Sequence, residues 1–386
     1  MDNHKPIVII SPSKKYAGGI YHFTIKTALE LKNYYNVKVI SFKKQYPKFL
    51  YPGKQKDPHL VDLNFEDECS ILKWYDYFSW KNTFKIVKNH AKLIYIPWWT
   101  IILALPFLYL AKISKKHGIK VIIEFHNLFD HDAGMIKKTL TSFLINKIVN
   151  YSDLCILHTK ENSENLKKIV KRDVNTIILP LGPLDDMMHL DNPNNIYEIY
   201  GLNEKNKYIL MFGVVRKYKG LEYAIEAMNY LNKTNYSDYH LLVIGEIWIK
   251  LRKVKSLISK YGLKNKIIFI NRFIPDDHII PFFNLAEIII YPYSSATQSG
   301  SLNFALSAAK PIIATAVGGF KEILKDQVNS LIIPPKDPLK LADAILKLIE
   351  DQELAKNIAN KGYEYFQNNS SWKIIMQKML YAIELL

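Results

Sequence analysis

Two successive α/β series are what the 386-residue sequence predicts, on three observations. Short, near-continuous apolar runs recur and read as buried parallel strands. Several of these runs pass through a small loop rich in Gly, Ser or Thr into a stretch with helical spacing of apolar residues. A tract rich in Pro, Asp and Asn at 183–195 interrupts the pattern and reads as an interdomain linker, dividing residues 1–182 from 183–369. The tail, 370–386, reads as an amphipathic helix and is expected to pack back on the first domain.

The first series opens with a strand at 7–10, a loop at 11–19 (SPSKKYAGG) and a helix at 20–31. A strand follows at 37–40, then an exposed basic loop at 43–56. The run 93–113 (LIYIPWWTIILALPFLYLAKI) is as apolar as a membrane span, for which about 20 residues suffice. Pro97 and Pro106 interrupt it, so a strand LIYIPWW followed by a helix at 100–114 is expected instead. Trp98, Trp99, Phe107 and Tyr109 are then either core residues or interfacial anchors. A strand at 120–125 (KVIIEF) delivers His126 and Asn127 at its carboxyl end, where polar groups of α/β folds meet ligands. Strands at 153–157 and 176–179 complete the series, the last closing in LPLG at Gly182.

The second series runs through a strand at 208–212, the loop GVVRKYKG (213–220), a helix at 221–231, and strands at 241–244 and 266–270. Its centre is 286–324, which reads as strand (287–293), loop (294–300), helix (301–309), strand (311–317), Gly318-Gly319 and a further helix. A strand at 331–335 and a helix at 338–350 follow. Each loop in 286–324 leads from the end of a buried strand into a helix N-terminus, where unpaired N–H groups and the helix dipole favour an anion. Either loop alone is explained by tight turns. Side by side they point to a nucleotide or sugar-phosphate, approached through Thr297, Ser299 and Gly300.

The formal charge of +16 is unevenly spread. Residues 1–182 hold 28 Lys and Arg against 15 Asp and Glu, a formal +13, whereas 183–386 hold 24 against 21, or +3. An anionic partner for the first half is expected, with nucleic acid and an anionic membrane both candidates. Cys69 and Cys155 are too few for a disulfide framework and lack zinc-site spacing, so a reducing compartment is expected. The chain enters its first strand within a few residues, leaving no room for a signal peptide, which implies the cytoplasm.

The ordered segments GVVRKYKG, LLVIGE, NRFIPDDHIIPFFNLAEIIIYPY, SATQSG, AKPIIATAVGGFKEIL and SLIIPPKDPLKLADAI resemble the retaining glycosyltransferases of family 4. Gly18-Gly19, His126-Asn127 and LPLG match the N-terminal landmarks, so the resemblance covers essentially the whole chain. It implies the GT-B fold, with two facing Rossmann-like domains and the active site in a central cleft.

The resemblance also implies roles. Arg216 and Lys219 hold the donor's diphosphate, Gly18 and Gly19 lie against the same phosphates, and His126 lies beside the transferred sugar. Two cations in a dry cleft stabilise a departing diphosphate more in the transition state than in the ground state, so no metal is expected. Glu322 of GGFKE matches a family glutamate at a helix start. The departure is that Ala296 and Phe304 stand where most members carry two glutamates, a loss shared by a branch with ATQSG-like loops. Sugar recognition is then expected from the backbone N–H groups of Gln298, Ser299, Gly300 and Ser301, aided by the side chains of Thr297, Gln298 or Asn303.

The expected activity is metal-independent, retaining transfer of a hexose from a nucleotide diphosphate sugar to a glycan or lipid-linked acceptor by a cytoplasmic enzyme at an anionic membrane. A GT-B epimerase or phosphorylase is the rival within the fold. A nucleic-acid-binding protein is the rival outside it, although no recognisable nucleic-acid motif occurs. The lack of GxGxxG argues against an NAD enzyme.

Overall fold

The computed structural model describes residues 6–16, 18–47, 65–129, 134–182, 196–236, 238–295 and 300–386. The expected linker at 183–195 and most of the basic loop at 43–56 lie outside them. The chain divides into two compact units, Met1–Gly182 with Trp372–Leu386, and Pro183–Ser371.

In the first unit the elements run β1 (Ile7–Ser11), α1 (Gly19–Lys32), β2 (Val37–Lys44), β3 (Glu68–Lys73), α2 (Tyr77–His90), β4 (Leu93–Trp98), α3 (Ala104–Lys116), β5 (Lys120–Phe125), α4 (Met135–Val149), β6 (Leu154–Leu157), α5 (Lys160–Val170) and β7 (Thr176–Ile178). The strands form one seven-stranded sheet in the order β3-β2-β1-β4-β5-β6-β7, with every pair parallel. Side chains on both faces of its central strands are buried, as helices on both sides of a parallel sheet require.

The second unit runs α6 (Ile196–Tyr200), β8 (Lys207–Phe212), α7 (Leu221–Leu231), β9 (Tyr239–Ile244), α8 (Leu251–Lys260), β10 (Ile267–Ile270), α9 (Ile279–Leu285), β11 (Ala286–Tyr291), α10 (Gly300–Ser307), β12 (Ile312–Thr315), α11 (Phe320–Ile323), β13 (Leu331–Ile333), α12 (Pro338–Glu350) and α13 (Gln352–Asn369). Its sheet is β10-β9-β8-β11-β12-β13, again all parallel. The last helix, α14 (Trp372–Glu384), belongs to the first unit. Its Trp372 packs on Phe23 of α1, ring centroids 5.4 Å apart. A side chain at Gly182 would meet Trp372 at 2.6 Å, so the LPLG glycine makes room for this helix.

Of the two roles open to the aromatic run the structure takes the core, and it shifts one helix boundary. Trp98 is 1% exposed, Trp99 7% and Phe107 0%, and all three join one core cluster. They are wedged between the sheet and its helices and cannot anchor anything outside. Tyr109 is half-buried and packs edge-on against Tyr77, 5.4 Å away. The expected helix at 100–114 begins at Ala104, because Thr100 accepts from Ile102 N and caps a short 3-10 turn first. Among the described residues no helix is long and apolar enough to cross a membrane.

Candidate active site

In the second unit, β9 and β10 extend the sheet to one side of β8, while β11, β12 and β13 extend it to the other. The boundary between β8 and β11 is therefore where the strand order reverses, and the crevice outside the strand ends at such a point is where open α/β sheets take ligands. The loop after β8 carries Arg216 and Lys219 to this boundary.

Lys219 ends a 3-10 turn, Lys217–Lys219, and folds back so that its ammonium donates to the Phe212 carbonyl, 3.1 Å away. The same ammonium lies 5.4 Å from the centre of the Tyr293 ring. Burial pushes its pKa down to about 8, Tyr218 opposing and Arg216 adding to the effect. It is a poorly solvated cation, which gains more than a surface lysine from an anion. The Arg216 guanidinium lies over the Trp248 ring, 4.7 Å from its centre. Trp248 is held there by backbone pairing, since Val215 N donates to Glu246 O (2.8 Å) and Trp248 N to Val215 O (2.9 Å). Glycines permit the crowding. Gly220 has φ +73° and a Cβ there would meet the Pro292 carbonyl oxygen at 2.0 Å; Gly245 has φ +121° and abuts Gly213.

The neighbouring loops are stitched to this one. Ser294, just after β11, donates its N–H to the Tyr218 carbonyl at 2.7 Å, and Thr315 of β12 donates its hydroxyl to Tyr293 O at 2.7 Å. Tyr291 donates to the Ser301 carbonyl at 2.7 Å, fixing the start of α10 against β11. Thr297, Gln298 and Ser299 lie outside the described residues. Gly300 is the first residue of α10, one earlier than expected, and has nothing within 4 Å of where a Cβ would stand. Phe304 is buried against Phe283, 5.6 Å away, and Phe283 packs on Phe212 at 5.0 Å. Phe304 is thus part of an aromatic stack. Glu322 is half-buried in the first turn of α11, with Gly318 and Gly319 before it, and its charge adds to burial in raising the Tyr365 hydroxyl.

In the first unit the strand order reverses between β1 and β4. Gly18 precedes α1 and Gly19 opens it, without a side-chain cap. A Cβ on Gly18 would come no closer than 4.0 Å to any neighbour, and one on Gly19 would meet nothing within 4 Å. Packing does not demand glycine at either place.

His126 stands at the end of β5, buried with two partners that the sequence did not single out. Its Nε2 lies 3.0 Å from Glu124 Oε2, and its Nδ1 lies 3.3 Å from Nε2 of His158, which follows β6. His158 Nδ1 donates to the Leu179 carbonyl at 2.8 Å. Burial pushes His158 down to about 4, Glu124 opposing, so it is neutral near neutral pH. Burial alone raises the Glu124 carboxyl, but the facing His126 outweighs it, with help from His158 and Tyr95, and leaves it below its ordinary value. Phe23 seats its ring edge-on against both imidazoles, 5.6 Å from each. Donor atoms of Glu124, His126 and His158 lie within 4.8 Å of one another, close enough to hold a metal ion. A metal would have to displace the bond between the two rings. The signals for these partners were faint: an acid inside KVIIEF, and a histidine ending LCIL.

Residues 194–365 match the family described as Glycosyl transferases group 1. An uncharacterized glycosyltransferase of Methanocaldococcus jannaschii is 25% identical over 360 residues, 88% of this chain and 82% of that protein. The lipopolysaccharide glucosyltransferase WaaG of Escherichia coli is 22% identical over 75% of this chain and 76% of its own. The chain spans about half the length of the first curated relatives it matches, 46% and 50%. Among solved structures, Anabaena HepE in complex with UDP and glucose superposes with a TM-score of 0.76 at 18% identity, covering 99% of this chain and 100% of that one. The fold is GT-B. On this GT-B scaffold the matched segment begins just before α6 and ends within α13, so it contains the Arg216–Lys219 loop and the switch point. These matches support a glycosyltransferase and do not favour an epimerase, a phosphorylase or a nucleic-acid-binding protein.

Proposed function

We propose that the protein is a retaining, metal-independent transferase that moves a hexose from a nucleotide diphosphate sugar to a lipid-linked saccharide at the cytoplasmic face of a membrane. The observation that carries this reading is the pair Arg216 and Lys219 in the loop at the switch point between β8 and β11. As the anomeric carbon exchanges its bond to the diphosphate oxygen for one to an acceptor hydroxyl, charge grows on the diphosphate. A half-buried guanidinium and a buried ammonium stabilise that charge without a metal.

Beside this pair, the α10 N-terminus and the Gly318-Gly319 turn are read as backbone donors, and Thr297, Gln298, Ser299, Gly300, Ser301 and Glu322 as further donor-binding residues. In the first unit, Gly18 and Gly19 are read as the phosphate-approaching turn into α1, and His126 as the sugar-side residue. The likeness to a structure solved with UDP and glucose supports a nucleotide sugar as donor. The likeness to a lipopolysaccharide glucosyltransferase supports a lipid-linked acceptor.

The test is a thermal-shift panel of UDP, GDP and their hexose conjugates, followed by transfer assays with lipid-linked saccharides and NMR of the product's anomeric configuration. One nucleotide should raise the Tm and its sugar should appear on the acceptor with configuration kept. Inversion, or no stabilisation by any nucleotide, would end this reading.

A further inference from the structure

The first unit exposes apolar side chains where a core would be expected to hide them. In α4, Ile136 is 88% exposed and Met135 85%, and Leu140 and Phe143 are more than half exposed. Ile136, Leu140 and Phe143 follow the i, i+4, i+7 spacing that puts them on one helix face. Thr141, Ile145, Ile148 and Val149 form the buried face. The helix is therefore apolar on two sides, and only one of them is used by the core.

This stripe has neighbours. In a parallel sheet with helical crossovers, each helix starts at the edge where the preceding strand ends. The N-termini of α2, α3 and α4 accordingly share the carboxyl edge of the sheet, and α3 packs against both α2 and α4. Phe78, 75% exposed, lies in the first turn of α2, and Leu105, 60% exposed, in the first turn of α3.

Charge completes the pattern. The helices α2, α3 and α4 carry not one Asp or Glu, and the exposed Lys81 of α2 and Lys137 and Lys138 of α4 stand in or next to the first turns, toward this edge. The exposed Lys44, the last residue of β2, lies over the exposed Tyr75 ring at 5.9 Å, and Lys147 lies over Phe143 at 4.7 Å. Long cationic side chains lying along apolar groups are suited to the boundary between lipid headgroups and acyl chains. A protein partner would find the apolar part adequate but would not account for three helices without a carboxylate.

We propose that this edge, centred on Ile136, Leu140 and Phe143 with Phe78 and Leu105 beside them, docks on an anionic phospholipid surface. Apolar groups enter the interface while the lysines meet the headgroups. The inference extends the membrane part of the reading above and stands apart from its donor chemistry, because docking is measured without donor or acceptor.

The test is sedimentation of the full-length protein with vesicles of phosphatidylcholine alone or containing phosphatidylglycerol. Binding is expected to the anionic vesicles, weakened by salt over a Debye length of about 8–10 Å. Ile136→Ser with Phe143→Ser should weaken partitioning by about tenfold or more without lowering the Tm, since both side chains are exposed. Ile199→Ser with Leu339→Ser, exposed apolar positions of the second unit, should leave it unchanged. Ile136→Trp should be quenched by brominated lipid. Wild-type partitioning by the α4 variant, equal loss in the control, or self-association through this face without lipid binding would each overturn the proposal. Loss of liposome binding with donor stabilisation intact would separate this surface from the transfer reading.

Discussion

His126 Nδ1 lies 3.3 Å from His158 Nε2, and His126 is the donor of that bond, because His158 gives its other ring nitrogen's proton to the Leu179 carbonyl. This fixes the His126 ring and leaves its Nε2 facing Glu124 Oε2 at 3.0 Å. If His126 meets the sugar, His158 and Glu124 act on the reaction by positioning it. His126→Ala should lower kcat far more than nucleotide affinity. His158→Ala should lower kcat by roughly tenfold, the usual scale for a group that orients another, with donor KM little changed. Steady-state kinetics decide it, and an equal loss of kcat and nucleotide affinity in both variants would return the pair to a structural role.

Acid stability should be governed by the same region. Burial holds His22 and His158 down to about 4, against 6.5 when exposed, so between those values the unfolded chain takes up protons that the folded chain refuses. Stability is complete above about 6.5 and declines toward 4, at up to roughly 1.4 kcal/mol per pH unit for each ring. Glu124, whose carboxyl is held low, works in the same direction, its contribution fading as pH falls through its folded value. Melting temperatures across this range should slope downward with acid, and His22→Asn and His158→Asn should each flatten the slope. A flat wild-type profile would contradict the burial of these rings.

What was legible in the sequence was whatever a period or a glycine announces. Continuous apolar runs gave the parallel strands of both units, and KVIIEF and the helices at 221–231 and 338–350 coincide with β5, α7 and α12. Much less visible were β3, an edge strand that is mostly half-exposed, and α13, whose surface is largely polar. The two tryptophans were ambiguous because composition gives the same aromatic signal for a core and a membrane anchor; only the fold shows that β4 is central. The apolar face of α4 was hidden for the converse reason, since residues apolar on two sides lack the one-sided pattern that marks an amphipathic helix. The Glu124–His126–His158 contact joins residues up to 34 positions apart in sequence, brought together by the adjacency of β5 and β6.

The two switch-point cations should fail differently. Arg216→Ala and Lys219→Ala each remove a charge-assisted contact worth about 1.5–3 kcal/mol, a ten- to hundredfold loss in kcat/KM. Lys219→Ala should also lower the Tm, because it leaves the Phe212 carbonyl without its partner and a gap beside Tyr293. Arg216, half-buried over Trp248, should not. With Lys219 near 8, kcat/KM for the free enzyme should fall as pH rises through about 8. Bound diphosphate favours the ammonium, so the limb in kcat should move to higher pH. A double variant with normal transfer would remove this pair from the site.

Chelation separates the two uses open to the buried triad. On the metal-independent reading the rings only hold each other, and EDTA is expected to leave both activity and Tm unchanged. A metal shared by Glu124, His126 and His158 would instead make both fall together, and zinc should restore them.

The sharpest test of the phosphate reading lies in glycines that packing does not need. Gly18→Ala and Gly19→Ala add a methyl where the nearest neighbour is 4.0 Å away or absent, and neither position has a positive φ. The fold should tolerate both, and a helix-opening alanine costs little. Gly220→Ala is the contrasting case, since its methyl would lie 2.0 Å from the Pro292 oxygen at φ +73°, and a fall in Tm is expected from strain of about 1–3 kcal/mol or more. If a diphosphate approaches the start of α1, the alanines at 18 and 19 should raise donor KM and lower kcat/KM by roughly tenfold or more at unchanged Tm, because the methyl stands between the phosphate and the backbone N–H groups. Wild-type kinetics in both variants would mean that these two glycines only turn the chain into α1.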